Sequence, residues 1–340
     1  MKIYRLFILR FFIGFIATFT LCAFGKDCQE IRMGLDIGSG STKIMVAKVD
    51  MCEKKILEVL LNESRPVGYN EDLDKSSDGN LSPAIIEKGL TTLKEMVEKG
   101  KSFKPKKNYG VATSVFRKAK NGSDVIKTFA RKLNLRLEVI PQETEALLGY
   151  LSVMALVDPK VVDTKNLVIW DIGGGSMQMF ALDDKKKPIL YLGDLASVTF
   201  KNMVIEVLQM KALDKESSPN PIGDKREQAI SLARAYARLH VPNALKVMLK
   251  DHTIIGVGGV HGQSIKNQLQ LDPKDPKYSL EELDKAARSQ SQKSDKDLAG
   301  DYRATDVTNL LLVEGFMEAL GVKEVKVVNA SLLQGALLLK

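Results

Sequence analysis

The 340-residue chain carries 50 Lys and Arg against 42 Asp and Glu, a net charge of +8, with 44% hydrophobic and 27% charged residues. That length supplies two ordinary domains with buried cores, and the composition is that of a soluble globular protein. Three of the positive charges fall at Lys2, Arg5 and Arg10, so the surplus on the body favours anionic ligands but is too small to indicate nucleic acid.

Residues 1–25 read as a targeting segment, with a basic start, a nearly unbroken apolar run from Phe11 to Phe24, and small residues before Lys26. The two readings are a cleaved signal peptide and a retained anchor. Only about fifteen uncharged residues follow Arg10, short of the roughly 20 that span a bilayer, which favours cleavage and no stable membrane span. An exported body, periplasmic or secreted, makes Cys28 and Cys52 candidates for a disulfide. A hairpin turning at Gly40 sets the two cysteines opposite each other at its open end.

In chain order, 32–50 reads as a β-hairpin and 55–67 as a further strand. Residues 69–80 are polar and read as a loop. Ser82-Pro83 starts a helix with Ile86, Leu90, Leu93 and Val97 on its apolar face. A short strand at 109–113 precedes a helix capped by Ser123, and 135–140 returns as a strand. The helix over 143–156 is expected to bury Ala146, Leu147, Tyr150, Leu151 and Met154. Residues 158–165 read as a linker. A second hairpin spans 166–180, followed by a strand at 188–195, helices at 197–209 and 225–239, and a strand at 251–257. Residues 289–301 are polar and read as disordered, and 308–339 closes as helix, strand and helix. The alternation gives an α/β protein in two lobes: 26–157 as lobe I and 158–330 as lobe II, with the last helix, 331–340, returning to lobe I.

The chemistry concentrates in two matching stretches, Asp36-Ile-Gly38-Ser39-Gly40-Ser41 and Asp171-Ile-Gly173-Gly174-Gly175-Ser176. Each places an aspartate at a strand end before a small-residue turn whose backbone N–H groups can hold phosphate oxygens. A carboxylate beside a phosphate repels it unless a hard cation lies between, so Asp36 and Asp171 are candidate Mg²⁺ ligands. Gly258-Gly259 ends a strand and is a third small-residue site for an anion. Glu143 and Glu145 open a helix, and Arg117 sits in a basic stretch where it can clamp a phosphate. His240, His252 and His261 are scattered, so no serine–histidine pair is legible, and no histidine lies near the cysteines to make a metal site.

These pieces, together with Ala112-Thr-Ser-Val-Phe-Arg117-Lys-Ala-Lys-Asn121, Glu138-Val-Ile-Pro-Gln-Glu-Thr-Glu145-Ala and Gly256-Val-Gly-Gly259, stand in the order and spacing of one family. The chain resembles the exopolyphosphatase / guanosine pentaphosphate phosphohydrolase (Ppx/GppA) family, in its short form without the C-terminal HD-type domain. The resemblance implies a two-lobe actin-like, ribonuclease-H-like fold with duplicated mixed sheets and an active site in the cleft. It implies a phosphoanhydride hydrolase releasing terminal phosphate from polyphosphate or a nucleotide polyphosphate. Glu145 is then the general base orienting the attacking water, Asp36 and Asp171 hold Mg²⁺, and the glycine turns and a catalytic Arg117 hold the phosphoryl oxygens. The chain departs from the family pattern at Gly40, Thr144, Met177, Ala196 and Val260. Two other readings stand beside it: an apyrase-like ectonucleotidase, and a non-catalytic sensor of a phosphorylated ligand. Assembly as a homodimer is open.

Overall fold

The computed structural model describes residues 28–157, 162–213, 217–300 and 302–339. The targeting segment read over 1–25, and residues 158–161 of the expected linker, lie outside the described residues. Among the described residues no helix is long and apolar enough to cross a membrane.

The first sheet contains β1 (Gln29–Ile37), β2 (Ser41–Asp50), β3 (Lys55–Pro66), β4 (Lys107–Ala112) and β5 (Leu137–Val139). Its order is β3-β2-β1-β4-β5, with β2 antiparallel to both neighbours and β4 and β5 parallel to β1. Met33, Leu35 and Ile37 recur at the strand period of two and are fully buried under the lobe's helices. These are α1 (Tyr69–Leu73), α2 (Pro83–Lys101), α3 (Ser114–Lys118) and α4 (Gly122–Leu133).

The second sheet repeats the plan. It contains β6 (Leu167–Ile172), β7 (Met177–Leu182), β8 (Pro188–Gly193), β9 (Thr253–Val257), β10 (Lys277–Ser279) and β11 (Glu324–Val327), in the order β10-β11-β9-β6-β7-β8. The hairpin β6–β7 and the strand β8 are antiparallel, and β9 and β11 run parallel to β6. The arrangement β8-β7-β6-β9-β11 is thus the counterpart of the whole first sheet, a duplicated two-lobe actin-like fold. Its helices are α6 (Ser197–Met203), α7 (Arg226–His240), α8 (Asn243–Asp251), α9 (Lys266–Leu269), α10 (Leu280–Gln290) and α11 (Arg303–Leu320). Wider π turns occupy Val204–Leu208 and Val260–Ile265. Helix α11 is buried on nearly every side, and Gly315 lets α7 approach so closely that a Cβ there would lie 2.7 Å from the Ala233 Cβ.

Two helices tie the lobes together. Helix α5 (Gln142–Met154) lies on the first-lobe side of the boundary expected at 157/158, yet Ala146 and Val153 pack with Ile169 and Phe180 of the second sheet. Helix α12 (Leu332–Leu337) comes from the chain's end and packs Leu333 and Leu337 on Met45, Ala47 and Val49 of the first sheet. The two helices touch where the Ser152 hydroxyl accepts from the Gly335 amide at 2.8 Å. Arg32 anchors the end of the chain by donating to the Leu337 carbonyl at 2.9 Å.

The disulfide Cys28–Cys52 is present, with the Cα atoms 5.6 Å apart. Its register differs by one residue from the expected facing pair, because β1 pairs Gln29 with Asp50. The Asp50 carboxylate accepts from the Cys52 and Glu53 amides, each at 2.9 Å, and this turn carries Cys52 back over Cys28.

Several local expectations are corrected. The supposed loop at 69–80 contains α1, since Tyr69 is fully buried against Phe116, with ring centroids 4.9 Å apart. Helix α4 starts at Gly122 and is not capped by Ser123; the residue before it, Asn121, spends its amide on both backbone groups of Leu81, at 2.9 Å each. The inner face of α2 is Ile85, Gly89, Leu93, Met96 and Val97, with Ile86 and Leu90 half-buried beside it. Helix α5 buries Glu145, Leu148, Gly149 and Ser152 besides Ala146 and Val153, because it is covered by a sheet on one side and α12 on another. Residues 289 and 290 end α10 and 291–300 form turns and bends, not a disordered run, and Ser291 is fully buried. Helix α8, strand β10 and helix α10 had no counterpart in the sequence reading.

Candidate active site

The two aspartate–glycine turns come together across a cleft of about 540 Å³ between the lobes. They are alike at the level of single hydrogen bonds. The Gly38 amide donates to the Ser41 carbonyl at 2.9 Å, and the Gly173 amide to the Ser176 carbonyl at 3.0 Å. In both, protein donors take up other turn carbonyls. The Val67 and Gly68 amides bond Gly40 and the Asn70 amide bonds Ser39, while the Ser197 and Val198 amides at the start of α6 bond Gly173 and Gly174. Occupying these carbonyls removes acceptors that repel an anion and leaves N–H groups as the polar atoms the turns offer.

The register makes the aspartates equivalent but gives them different neighbours. Asp36 faces Lys43 across β1–β2, with Nζ 3.5 Å from Oδ2, whereas Asp171 faces Gln178 across β6–β7. The other oxygen of Asp36, Oδ1, is buried without a protein partner. Asp171 lies beside Gly258, whose φ of +83° needs glycine, and a Cβ there would sit 2.2 Å from Asp171 Oδ1. Burial pushes the Asp171 carboxyl up to about 6, with Lys43 opposing and Asp36 adding to the shift.

Glu145 lies on the first turn of α5, a position fixed from both lobes. The Gln142 side chain donates to the carbonyls of Met177, at 3.3 Å, and Gly193, at 3.1 Å, seating the helix start on the second-lobe hairpin. From the first lobe, Arg117 donates to the Ile140 carbonyl at 3.0 Å and reaches Glu145 Oε2 at 2.8 Å. Ser176 Oγ is 3.5 Å from Oε1. Burial raises the Glu145 carboxyl to about 7; Arg117 opposes the shift, and Asp171 and Asp36 add to it.

All the expected phosphate-binding residues line the cleft: Gly38, Ser39, Gly40 and Ser41; Gly173, Gly174, Gly175 and Ser176; and Gly258 and Gly259. So do Asp36, Asp171 and Glu145. Arg117 is not among the lining residues; its Nη1 is shared between Glu145 and the Ile140 carbonyl. Lys43 lines the cleft and had been given no role, though the hairpin register places it opposite Asp36. Also unforeseen is a set of contacts between the lobes. The Gly175 carbonyl accepts from Ser114 Oγ at 2.8 Å and Lys118 Nζ at 3.0 Å, and Asn202 donates to Asp74 at 2.8 Å. Such contacts join residues remote in sequence and leave no local pattern.

Four of the five departures from the expected pattern, Gly40, Met177, Ala196 and Val260, are accommodated. Ala196 has φ −143°, extended backbone that any residue adopts, and Gly40 has open space around its missing Cβ. Met177 and Val260 are buried members of the second-lobe core.

The model of the Ppx/GppA phosphatase family matches residues 45–217, about half of the chain. The chain belongs to this family. Among curated relatives it is similar to a bifunctional 3-dehydroquinate synthase/phosphatase of Fusobacterium nucleatum, 22% identical over 234 residues, 67% of this chain and 33% of the relative. It is also similar to a putative exopolyphosphatase of Haemophilus influenzae, 29% identical over 158 residues, 46% of each. The chain thus spans between a third and a half of the length of these relatives. Solved structures give the fold over nearly the whole chain. A Ppx/GppA family member from Aquifex aeolicus matches with a TM-score of 0.69 at 18% identity, covering 91% of this chain and 97% of that one. An exopolyphosphatase from Cytophaga hutchinsonii matches with a TM-score of 0.70 at 16% identity, covering 90% and 96%.

Proposed function

We propose that this Ppx/GppA family protein is a phosphoanhydride hydrolase that releases terminal phosphate from inorganic polyphosphate or a nucleotide polyphosphate. The observation that carries the reading is Glu145: a buried carboxylate lifted to about 7, held between two phosphate-type turns. A group with that proton affinity accepts a proton near neutral pH, as a general base for an attacking water must.

The turns bind the terminal phosphoryl oxygens through backbone N–H groups and hold the phosphorus in line with the water that Glu145 orients. Arg117 fixes the Glu145 carboxylate and, as a cation beside it, keeps its basicity from rising further.

The residues present suit Mg²⁺. Asp36 offers a buried, unpartnered oxygen, Asp171 offers a second carboxylate, and both are hard oxygen donors. Among the described residues, Asp36, Asp171 and Glu145 do not bring an oxygen each within 4.8 Å of one another. Asp36 and Asp171 would hold the ion, leaving other positions to water and substrate as Mg²⁺ prefers. Bound there, it neutralises charge on the phosphoryl oxygens and leaving group. The disulfide supports an exported protein, since such bonds persist in oxidising compartments.

The test is phosphate release by the purified protein with Mg²⁺ from polyphosphate, guanosine pentaphosphate, ATP and ADP supplied separately. Release from polyphosphate or guanosine pentaphosphate is the expected result. ATP and ADP as the best substrates would favour an ectonucleotidase instead, and binding without any release would favour a sensor.

A further inference from the structure

The second aspartate–glycine turn is completed from the opposite lobe. The Gly173 and Gly174 carbonyls accept from the Ser197 and Val198 amides of α6, at 3.2 and 2.9 Å, inside the second lobe. The Gly175 carbonyl instead accepts from the first lobe, from Ser114 Oγ at 2.8 Å and Lys118 Nζ at 3.0 Å. The first turn has no such dependence, since the donors to Ser39 and Gly40 are the Asn70, Val67 and Gly68 amides of its own lobe.

These bonds decide where the turn's N–H groups point. The peptides here are trans, and in a trans peptide the N–H lies opposite the C=O. Fixing the carbonyls of Gly173, Gly174 and Gly175 therefore aims the amides of Gly174, Gly175 and Ser176 away from the donors that hold them. Among the described residues none of these three amides donates to another backbone group. They are the polar hydrogens that an anion in the turn would meet. Ser176 is the one nearest the chemistry, lining the cleft with its Oγ 3.5 Å from Glu145 Oε1.

Helix α3 is built for this contact. Ser114 and Lys118 stand at its two ends, at positions i and i+4, which share one face. Lys118 is held to the second lobe a second time, with Nζ 3.3 Å from Asp194 Oδ1. Gly175 admits the close approach because it has no side chain: a Cβ there would lie 3.0 Å from Ser39 Oγ and 3.1 Å from Ser114 Oγ. Neither Ser114 nor Lys118 lines the cleft, so both act on it through the turn.

We infer that Ser114 and Lys118 are positioning residues of the phosphate site: by gripping the Gly175 carbonyl from the first lobe they turn the Ser176 N–H toward the terminal phosphoryl group, and this donor is in place only while α3 touches the second lobe. The inference rests on the phosphoanhydride reading above. The two donors overlap in effect, because a carbonyl accepts at two lone pairs and either bond restrains the same peptide plane.

The test is a variant set of the full chain, read by titration calorimetry of imidodiphosphate with Mg²⁺ and by kcat/KM for phosphate release. Ser114→Ala and Lys118→Met are each expected to weaken imidodiphosphate binding about two- to threefold. Together they are expected to weaken it at least about twentyfold, the worth of one hydrogen bond to a charged group, with kcat/KM falling in step. A combined loss larger than the product of the single losses is the mark of a shared acceptor. Ser114→Ala with Lys118→Arg recovers most of the binding, because a guanidinium can donate to the same carbonyl. Asn202→Ala removes another bond between the lobes, to Asp74, without touching the turn, and is expected to stay within about twofold of the wild type. If the double variant does not fold, Lys118→Met against Lys118→Arg decides: a loss confined to Met supports the inference, and equal losses overturn it. Wild-type affinity in a folded double variant, or a loss in Asn202→Ala as large as the double variant's, also overturns it and leaves the phosphoanhydride reading intact. A wild type that does not bind imidodiphosphate overturns both.

Discussion

Replacing Glu145 with Gln is expected to lower kcat/KM for phosphate release by about 10²–10⁴-fold while making the protein more stable near neutral pH. The rate falls because the amide keeps the shape and the neighbourhood of Arg117 but takes no proton from water. The stability rises because the wild-type carboxylate is a buried charge facing Asp171 and Asp36, which is why its affinity for a proton is raised from 4.5 to about 7. The sign follows from linkage. Below 4.5 the group is protonated in both folded and unfolded chains, and the variant gains nothing. As pH rises from 4.5 to about 7 the unfolded chain ionises freely while the folded one resists, and the wild type loses stability relative to the variant. Above about 7 the gain levels off at about 3 kcal/mol. Thermal melts of both proteins at acidic and mildly alkaline pH, beside a phosphate-release assay, check both halves. A variant slower but no more stable at alkaline pH would mean that Arg117 fully offsets the burial of the charge.

Gly258→Ala is expected to cost about 2–4 kcal/mol of stability and at least about 10² in kcat/KM. Its φ of +83° is unfavourable for any residue with a Cβ, and the added carbon would stand 2.2 Å from Asp171 Oδ1 and 2.7 Å from the Ile172 carbonyl oxygen. Relief requires moving either the β6 end or the Asp171 side chain, and both displace a group that lines the cleft. Gly259→Ala is the control for stability, since Gly259 has φ −64° and nothing within 4 Å of the missing Cβ. Chemical denaturation of the two variants separates them. Equal stabilities would mean that the second aspartate is not held by this contact.

Much of this architecture was legible because duplication leaves a signature within one sequence. Asp36 and Asp171 each precede a small-residue turn between apolar strands, and the two sheets share strand order and hydrogen-bonded turns. Cys28 and Cys52 could be paired from hairpin arithmetic, with the one-residue offset coming from a turn at Asp50 that the period of two does not encode. The misreadings share a cause in tertiary burial. Tyr69 makes a helix out of a polar stretch by filling a pocket against Phe116. Helix α5 is apolar on more than one side because it bridges both lobes, so a single amphipathic face was the wrong template. Arg117 was singled out by its motif, but its engagement with Glu145 and the Ile140 carbonyl depends on how α3 meets α5.

The most direct test of the central claim, that Glu145 is the base of a phosphoanhydride hydrolase, is the pH dependence of kcat/KM for phosphate release between about pH 5 and pH 8. The wild type should gain activity as pH rises through this range and then level off, as a buried carboxyl lifted to about 7 loses its proton. The Glu145→Gln variant should show only a low residual rate without that rise. A wild-type profile that is flat or falls across the range, or the same rising limb persisting in the variant, would contradict the assignment.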